Sequence, residues 1–431
     1  GTAGQVFIGS GAVVSRGQLD QIQFFDGTAT YYAVQLSTGE LVPGANTSTV
    51  PTGNSNVQVT TLATAGGSWT VSGSGISTLF TFTPTADNAN INVSDITNRL
   101  LGSVTPSRGS VKIVTTNGTG TQVGNVNITT AITASNIQST VYTFTVDAAG
   151  DINVSSAINL SGSSIGYSNV ASTNVVLTSS RSINLTSSIN TSGSTLSYSG
   201  VGVTGSITLT ASERIYSSSG GTLDAAGGYN PSGSFVRGGD ITLSAASISL
   251  GGSINNRGYN NRSVLGDAGN IGISTTNTAT TAGVNDGQVS GVITGGNFTK
   301  NGAGTFILKS VNTYLGSTTV SAGTLLLGAG NALPTSTALT VEGGAIFDLS
   351  SFSPTVGSIA GGGTIRSSSG SSTPVLSTGA NSTSTTFSGV IENGSATSIS
   401  LIKTSGSVLT LTGSSSYTGS TAINAGVINI R

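Results

Sequence analysis

The sequence predicts an all-β protein: a right-handed parallel β-helix with an N-terminal β cap or small β domain. Three observations predict it. Only 7% of the 431 residues are charged, against about 25% in ordinary domains. Yet 35% are hydrophobic and the net charge is −1, so the chain lacks the low hydrophobicity and high charge of disorder. The aliphatic residues are mostly Val, Ile and Leu spaced among Ser, Thr and Asn, a strand composition, and a short alternating phrase recurs along the chain.

The chain reads in three regions. Residues 1–115 hold "FFDGTATYYAVQLSTGELVPG" and "STLFTFTPTADNANINVSDITNRLLGS", with the single Trp, Trp69. No rung register shows there, so the region reads as a cap, a small β domain or irregular rungs. Residues 96–103 are the best candidate for one helical turn. "GQVFIGSGAVVSRG" (5–18) has no Lys-Ser/Thr and no following helix, so it is a strand–turn–strand and not a phosphate loop.

Residues 116–288 carry the recurring phrase: "GNVNITTAITASN" (124–136), "GDINVSSAINLSG" (150–162), "RSINLTSSINTSG" (181–193), "GSITLTAS" (205–212), "GGDITLSAASISLGG" (238–252) and "GNIGISTT" (269–276). The openings are roughly 24–34 residues apart, the length of one solenoid rung. Ile152 and Val154, Ile183 and Leu185, Ile241 and Leu243 point one way, and Asn153, Asn184 and Thr242 the other. One rung cannot bury its own aliphatic face. Stacking at about 4.8 Å buries a continuous column and pairs every strand. Residues 213–238 and 253–270 read as excursions between rungs, where solenoids carry contacts. Tyr31, Tyr32, Tyr229, Arg257, Tyr259 and Arg262 are the candidate contact residues.

Residues 289–431 contain one phrase written twice, "KNGAGTFILKSVNTYLGSTTVSAGTLLL" (300–327) and "KTSGSVLTLTGSSSYTGSTAINAGVINI" (403–430). The second copy has Ser415 where the first has Asn312, and Val408 is aligned with Phe306. It ends in the alternating "AGVINIR". Val427, Ile428, Asn429, Ile430 and Arg431 then form an uncapped end, with Val6, Phe7 and Ile8 as strands for the other. Either more polypeptide follows there, or another subunit stacks on it, and two bare ends would stack head to tail into a fibre.

The chemistry is bounded by what is missing. There is no Cys, no His and no Met. That excludes disulfides, Ser-His-Asp and Cys-His machinery, and His-based zinc sites. A glycan-active enzyme would need paired carboxylates, and the acidic residues are scattered. Asp240 and Asp267 each precede a rung opening, so stacking could bring them together, but the turn-like setting of Asp240 reads as a corner cap. Asp87, Asn90 and Asp95 loosely resemble an oxygen-ligand loop without its Gly and Glu, and read as an Asx-rich turn. The reading is no enzyme, no cofactor and no metal. With 14 basic and 15 acidic residues scattered, there is no footprint for nucleic acid. No run of about 20 apolar residues spans a membrane as a helix. The partners expected are further copies of the chain, or a cell-surface or glycan ligand.

From "SGVITGGNFTKNGAGTFILKSVNTYLGSTTVSAGTLLL" (290–327) and "SGVIENGSATSISLIKTSGSVLTLTGSSSYTGSTAINAGVINI" (388–430), the chain resembles proteins with the passenger-associated transport repeat, the autotransporter-associated β-strand repeat. Its middle is similar to filamentous-haemagglutinin-type adhesins, in which Gly-Asp-Ile-x-Leu phrases recur along a right-handed β-helix. The resemblance implies a secreted or cell-surface bacterial β-helical passenger. It brings no defined activity, since passengers serve as adhesins, filaments, proteases and lyases. Two readings follow: a subunit of a surface fibre, or a monomeric adhesin binding glycan or a neighbouring surface. A polysaccharide-active enzyme on the same scaffold is the third.

Overall fold

A computed structural model describes residues 53–103, 108–135, 140–162, 170–193, 202–228, 236–258, 268–276 and 287–431, with short strands at 6–7, 23–25, 30–35 and 40–43. The body is a parallel β-solenoid with three faces. The first face has twelve strands in stacked order from Gly67–Ser72 to Ser358–Ala360, and the second has thirteen from Ala89–Asn92 to Val390–Gly394. The third face is a run of six two-residue strands from Ile132–Thr133 to Ile293–Thr294. Beyond it, two sheets carry the stack to Thr421–Ile423 and Val427–Ile430.

The alternation read from sequence sets the core. Val126, Ile152, Ile183 and Ile215 stack in register on the second face, and all are 0% exposed. Each such side chain contributes about 1.5–3 kcal/mol by burial. Asn127, Asn153 and Asn184 face outward in the same register. Asn153 Nδ2 donates to Asn127 Oδ1 at 2.8 Å and Asn184 Nδ2 to Asn153 Oδ1 at 2.9 Å, an amide ladder along the axis. The recurring phrase, however, does not mark one face. At Ile152–Val154 and Ser182–Leu185 it forms second-face strands, whereas at Ile207–Ala211, Ile241–Ala245 and Ile271–Thr275 it forms first-face strands. Any buried strand of a rung needs the same alternation, so the phrase reports burial and not position.

Rungs begin well before residue 116. Val57–Thr60 pairs in parallel with both Val126–Ile128 and Ala89–Asn92, and Leu79–Pro84 with Ser110–Val114. The chain reaches these places out of stacking order and fills them with Phe80 and Phe82, so no phrase repeats. The end of the stack is then closed. Gly67–Ser72 runs antiparallel to Leu79–Pro84, with Trp69 edge-on to Phe82 at 5.3 Å. A helix, Val93–Leu101, covers the same end and buries Ile96 and Leu100. Asn92 caps its first turn, accepting from the Ser94 amide at 2.8 Å, and Gly102 at φ 82° ends it. The Arg99 guanidinium lies 3.9 Å above the Trp69 ring. Sequence reading expected one turn at 96–103 and missed the Asx cap that starts the helix earlier.

Val6–Phe7 belongs to a small sheet, pairing antiparallel with Glu40 and Leu41. Tyr31 and Tyr32 sit in its Thr30–Gln35 strand; Ile8 lies outside the described residues.

Asp87 ties three segments at the closed end. It accepts from Ser55 Oγ at 3.1 Å, from the Thr121 amide at 3.1 Å and from the Thr121 hydroxyl. The Thr121 hydroxyl, then its amide, hold the carboxyl below the ordinary carboxylate pKa. A depressed folded value gives stability that is present above the unfolded pKa of about 3.9 and lost as pH falls through the folded one. An acid titration should therefore move the Thr121 amide resonance at a pH below the ordinary aspartate range, and Asp87→Asn should abolish that movement. A Thr121 resonance indifferent to acid would refute the tie. Asp87, Asn90 and Asp95 do not converge as ligands: Asn90 Oδ1 accepts from Thr60, and Asp95 pairs with Arg99 at 3.6 Å.

Candidate functional site

The middle rungs turn from the third face to the first at one recurring corner. In successive rungs residues 136–139, 163–169, 194–201, 229–235 and 259–267 interrupt the described chain at this one corner. Four of these breaks share one neck. The returning chain donates to the departing chain: Thr173 amide to Leu160 carbonyl (3.1 Å), Gly205 to Thr191 (3.1 Å), Gly239 to Ala225 (2.7 Å) and Gly269 to Asn256 (3.1 Å). Arg257 sits at one such neck, half-buried, its carbonyl accepting from the Gly227 amide at 2.6 Å. Tyr229, Tyr259 and Arg262 lie outside the described residues, as does Asp267. Parts of the two stretches expected as excursions, 213–238 and 253–270, belong to the solenoid. Arg214–Ser217, Leu223–Asp224 and Ile254–Asn255 are rung strands whose short Ser/Gly-rich phrasing hid them.

Side-chain oxygens hold this corner in register. Asn174 Oδ1 accepts the Ser206 amide (2.8 Å), Ser206 Oγ the Asp240 amide (3.2 Å), Asp240 Oδ1 the Asn270 amide (2.8 Å) and Asn297 Oδ1 the Ser317 amide (3.0 Å). Each rung thus satisfies the next rung's backbone donor, which an apolar corner would leave unpaired. Glycines line the same corner because nothing larger fits. A Cβ on Gly239 would lie 2.0 Å from Gly205 O, and one on Gly269 2.0 Å from Gly239 O.

Among the described residues, two carboxylates meet one serine at the corner between the first and second faces. There Ser182 donates its amide to Asp151 Oδ1 (3.0 Å) and its hydroxyl to Glu213 Oε2 (3.1 Å), with Arg181 Nε 3.7 Å from Glu213. Sequence reading missed this pair because the two acids are two rungs apart, with Ser182 on the rung between them. Asp151 is 4% exposed and accepts a backbone amide; Asp348, 2% exposed, accepts amides of Ser350 and Ser368. These carboxylates do corner work. Among the described residues no group of three or more Asp or Glu could hold a metal ion, and no helix is long and apolar enough to cross a membrane.

The doubled phrase forms two closely similar units. Here the rungs shorten: equivalent corner positions lie 19–20 residues apart, against 30–34 at the excursion corner. Phe298 stacks on Tyr314 at 5.8 Å and lies 6.5 Å from Phe306. Tyr314 is 0% exposed; its hydroxyl pairs with Thr318 Oγ1 at 2.6 Å, and that with Thr337 Oγ1 at 2.9 Å. Burial pushes this phenol above its ordinary pKa. In the second unit Tyr417 repeats the bond, to Thr421 at 2.7 Å, but at the surface. Asn312 ties three rungs: it accepts from the Ile293 amide (2.8 Å) and donates to Ser310 (3.1 Å) and Ala332 (2.8 Å) carbonyls. Ser415 keeps the first tie, to the Ile391 amide at 3.1 Å. Leu409, and not Val408, takes the place of Phe306, since Leu409 is the buried residue of its strand pair. Lys300 and Lys403 are buried, at 0% and 2% exposed, and burial pushes the Lys403 ammonium below the ordinary lysine pKa.

The passenger-associated-transport-repeat family model matches residues 298–327 and 401–430. The adhesin BmaC autotransporter of Brucella suis biovar 1 (strain 1330) is 40% identical over 161 residues, a stretch that is 36% of this chain and 4% of that adhesin. No solved structure matches. The chain thus shares with autotransporter passengers two passenger-associated-transport repeats, carried on a parallel β-solenoid, and a stretch similar to a small part of an autotransporter adhesin.

Proposed function

We propose that the chain is a surface-borne or secreted adhesive solenoid whose contacts with a glycan or a neighbouring cell surface are made by the excursions at the third-to-first corner. The observation that carries this is their common departure point, rung after rung, behind identical necks. A rigid scaffold that offers variable loops from one line is how binding residues are commonly carried. The likeness to an autotransporter adhesin supports the same reading. The role is non-enzymatic: the chain has no His and no Cys, and the buried acids Asp151 and Asp348 are engaged by backbone amides.

Replacing residues 163–169, 194–201, 229–235 and 259–267 with short Gly-Ser links tests it. The neck bonds should keep the fold, with unchanged circular dichroism, while adhesion of coated particles to cells falls to background. Full adhesion by the four-fold variant would sink the reading.

A fibre of stacked copies is the second reading; it would place a neighbouring copy against the strands Thr421–Ile423 and Val427–Ile430, where Ile423, Val427 and Ile430 are 52%, 47% and 82% exposed. Bare-end stacking also needs a free edge at the other end, which among the described residues is covered by the antiparallel strand and the helix. Electron microscopy separates ordered fibres from isolated rods.

A further inference from the structure

Lys300 occupies a core position. In the first-face register it lies between Ile273 of the preceding rung and Val320 of the next. A desolvated ammonium there must be solvated by the protein itself. Its Nζ donates to the carbonyls of Asn301 (2.7 Å), Gly302 (2.8 Å) and Ala322 (3.2 Å). Two of these oxygens belong to its own corner and the third to the corner of the following rung. Gly302 and Gly323, at φ 73° and 66°, make both turns left-handed. The corners touch: a Cβ on Gly323 would lie 2.5 Å from Gly302 O. Three N–H donors meet three backbone acceptors, the full capacity of an ammonium. The second unit repeats the placement. Lys403 lies between Thr378 and Ile423 in its own register. Its Nζ donates to Ser405 O (2.6 Å) and Ser405 Oγ (3.3 Å), a cradle within one corner.

We propose that Lys300 is a tethered ammonium ion filling a carbonyl site that joins two successive corners, and that the site, emptied of it, takes a free monovalent cation of ammonium or potassium size. Carbonyl oxygens replace a hydration shell for such ions. The inference goes beyond the adhesive reading and holds whatever the excursions bind. Its consequence is that in the first unit an internal charge joins two successive rungs, where the longer rungs use Ser, Asn and Asp.

Amide hydrogen exchange of Thr318–Val320 and Thr324 in Lys300→Ala and Lys300→Met is the test, in chloride salts of ammonium, potassium, sodium and tetramethylammonium at equal ionic strength. In the alanine variant exchange should quicken about 10- to 100-fold, the loss expected of hydrogen bonds to a charged group. Ammonium or potassium should restore most of the protection, and tetramethylammonium none. The methionine variant, whose stem fills the space without a charge, should stay unprotected in every salt. Native protection in Lys300→Met, or identical exchange of Lys300→Ala in all four salts, overturns the proposal. Should Lys300→Ala not fold, the native protein decides. Its Lys300 ammonium protons, observed after ¹⁵N-lysine labelling, should exchange with water far more slowly than those of Lys112 and Lys309, and equal rates overturn the proposal.

Discussion

Gly389→Ala should disrupt the C-terminal rungs at a cost of about 3 kcal/mol or more, the upper range of overpacking. A Cβ at this position would lie 1.9 Å from Gly363 O and 2.7 Å from Phe387 Cζ. The carbonyl cannot step aside, because it accepts the Val390 amide at 3.0 Å, a bond of the stack itself. Gly413 repeats the problem one rung on, 1.9 Å from Gly389 O, so a backbone shift at 389 passes to its neighbour. Gly343 is the control, since a Cβ there meets nothing within 4 Å. Urea denaturation of the two alanine variants checks the claim, together with exchange at Val390 and Ile391. Equal midpoints would show that the corners give way easily.

Tyr314→Ala should cost about 3–5 kcal/mol, and Tyr417→Ala well under half of that. The two tyrosines are the same residue of the same phrase, with the same hydroxyl partner. They differ in what lies over them. Tyr314 is 0% exposed, stacked on Phe298 and followed by a rung that supplies Leu333 and Thr337. Removing it leaves a ring-sized cavity and strips Thr318 of one partner. Tyr417 has Leu401 in place of Phe298 and remains partly exposed. Thermal unfolding of both variants tests this; similar losses would mean that the phrase, and not the stacking, sets the stability.

The sequence carried the fold through its alternation. Ile152, Ile183 and Ile241 read as inward and are inward, because a strand's side chains alternate whatever its neighbours do. Which face each strand joins was not legible, since that depends on corners built from Gly205, Gly239 and Asp240 and on spacing that excursions alter. The rungs at Val57–Thr60 and Ala89–Asn92 were hidden because the chain visits them out of order. Lys300 and Lys403 show how a stronger signal was passed over. Each falls two residues after a buried Phe298 or Leu401, on the inward parity of an alternating run. Parity alone places both inside. For the proposed contact surface the sequence offers only residue types, Tyr and Arg. The common corner came only from the stacking.

On the proposed adhesive role, that common corner would set the valency of the molecule. Adjacent rungs are about 4.8 Å apart, and four successive necks span only about 15 Å on that spacing, too close for each to serve a separate macromolecule. Contacts carried there would address one extended ligand together, each adding to residence time through high effective concentration instead of recruiting a further partner. Loss of one contact should then shorten the bound lifetime without changing how many ligands a molecule carries.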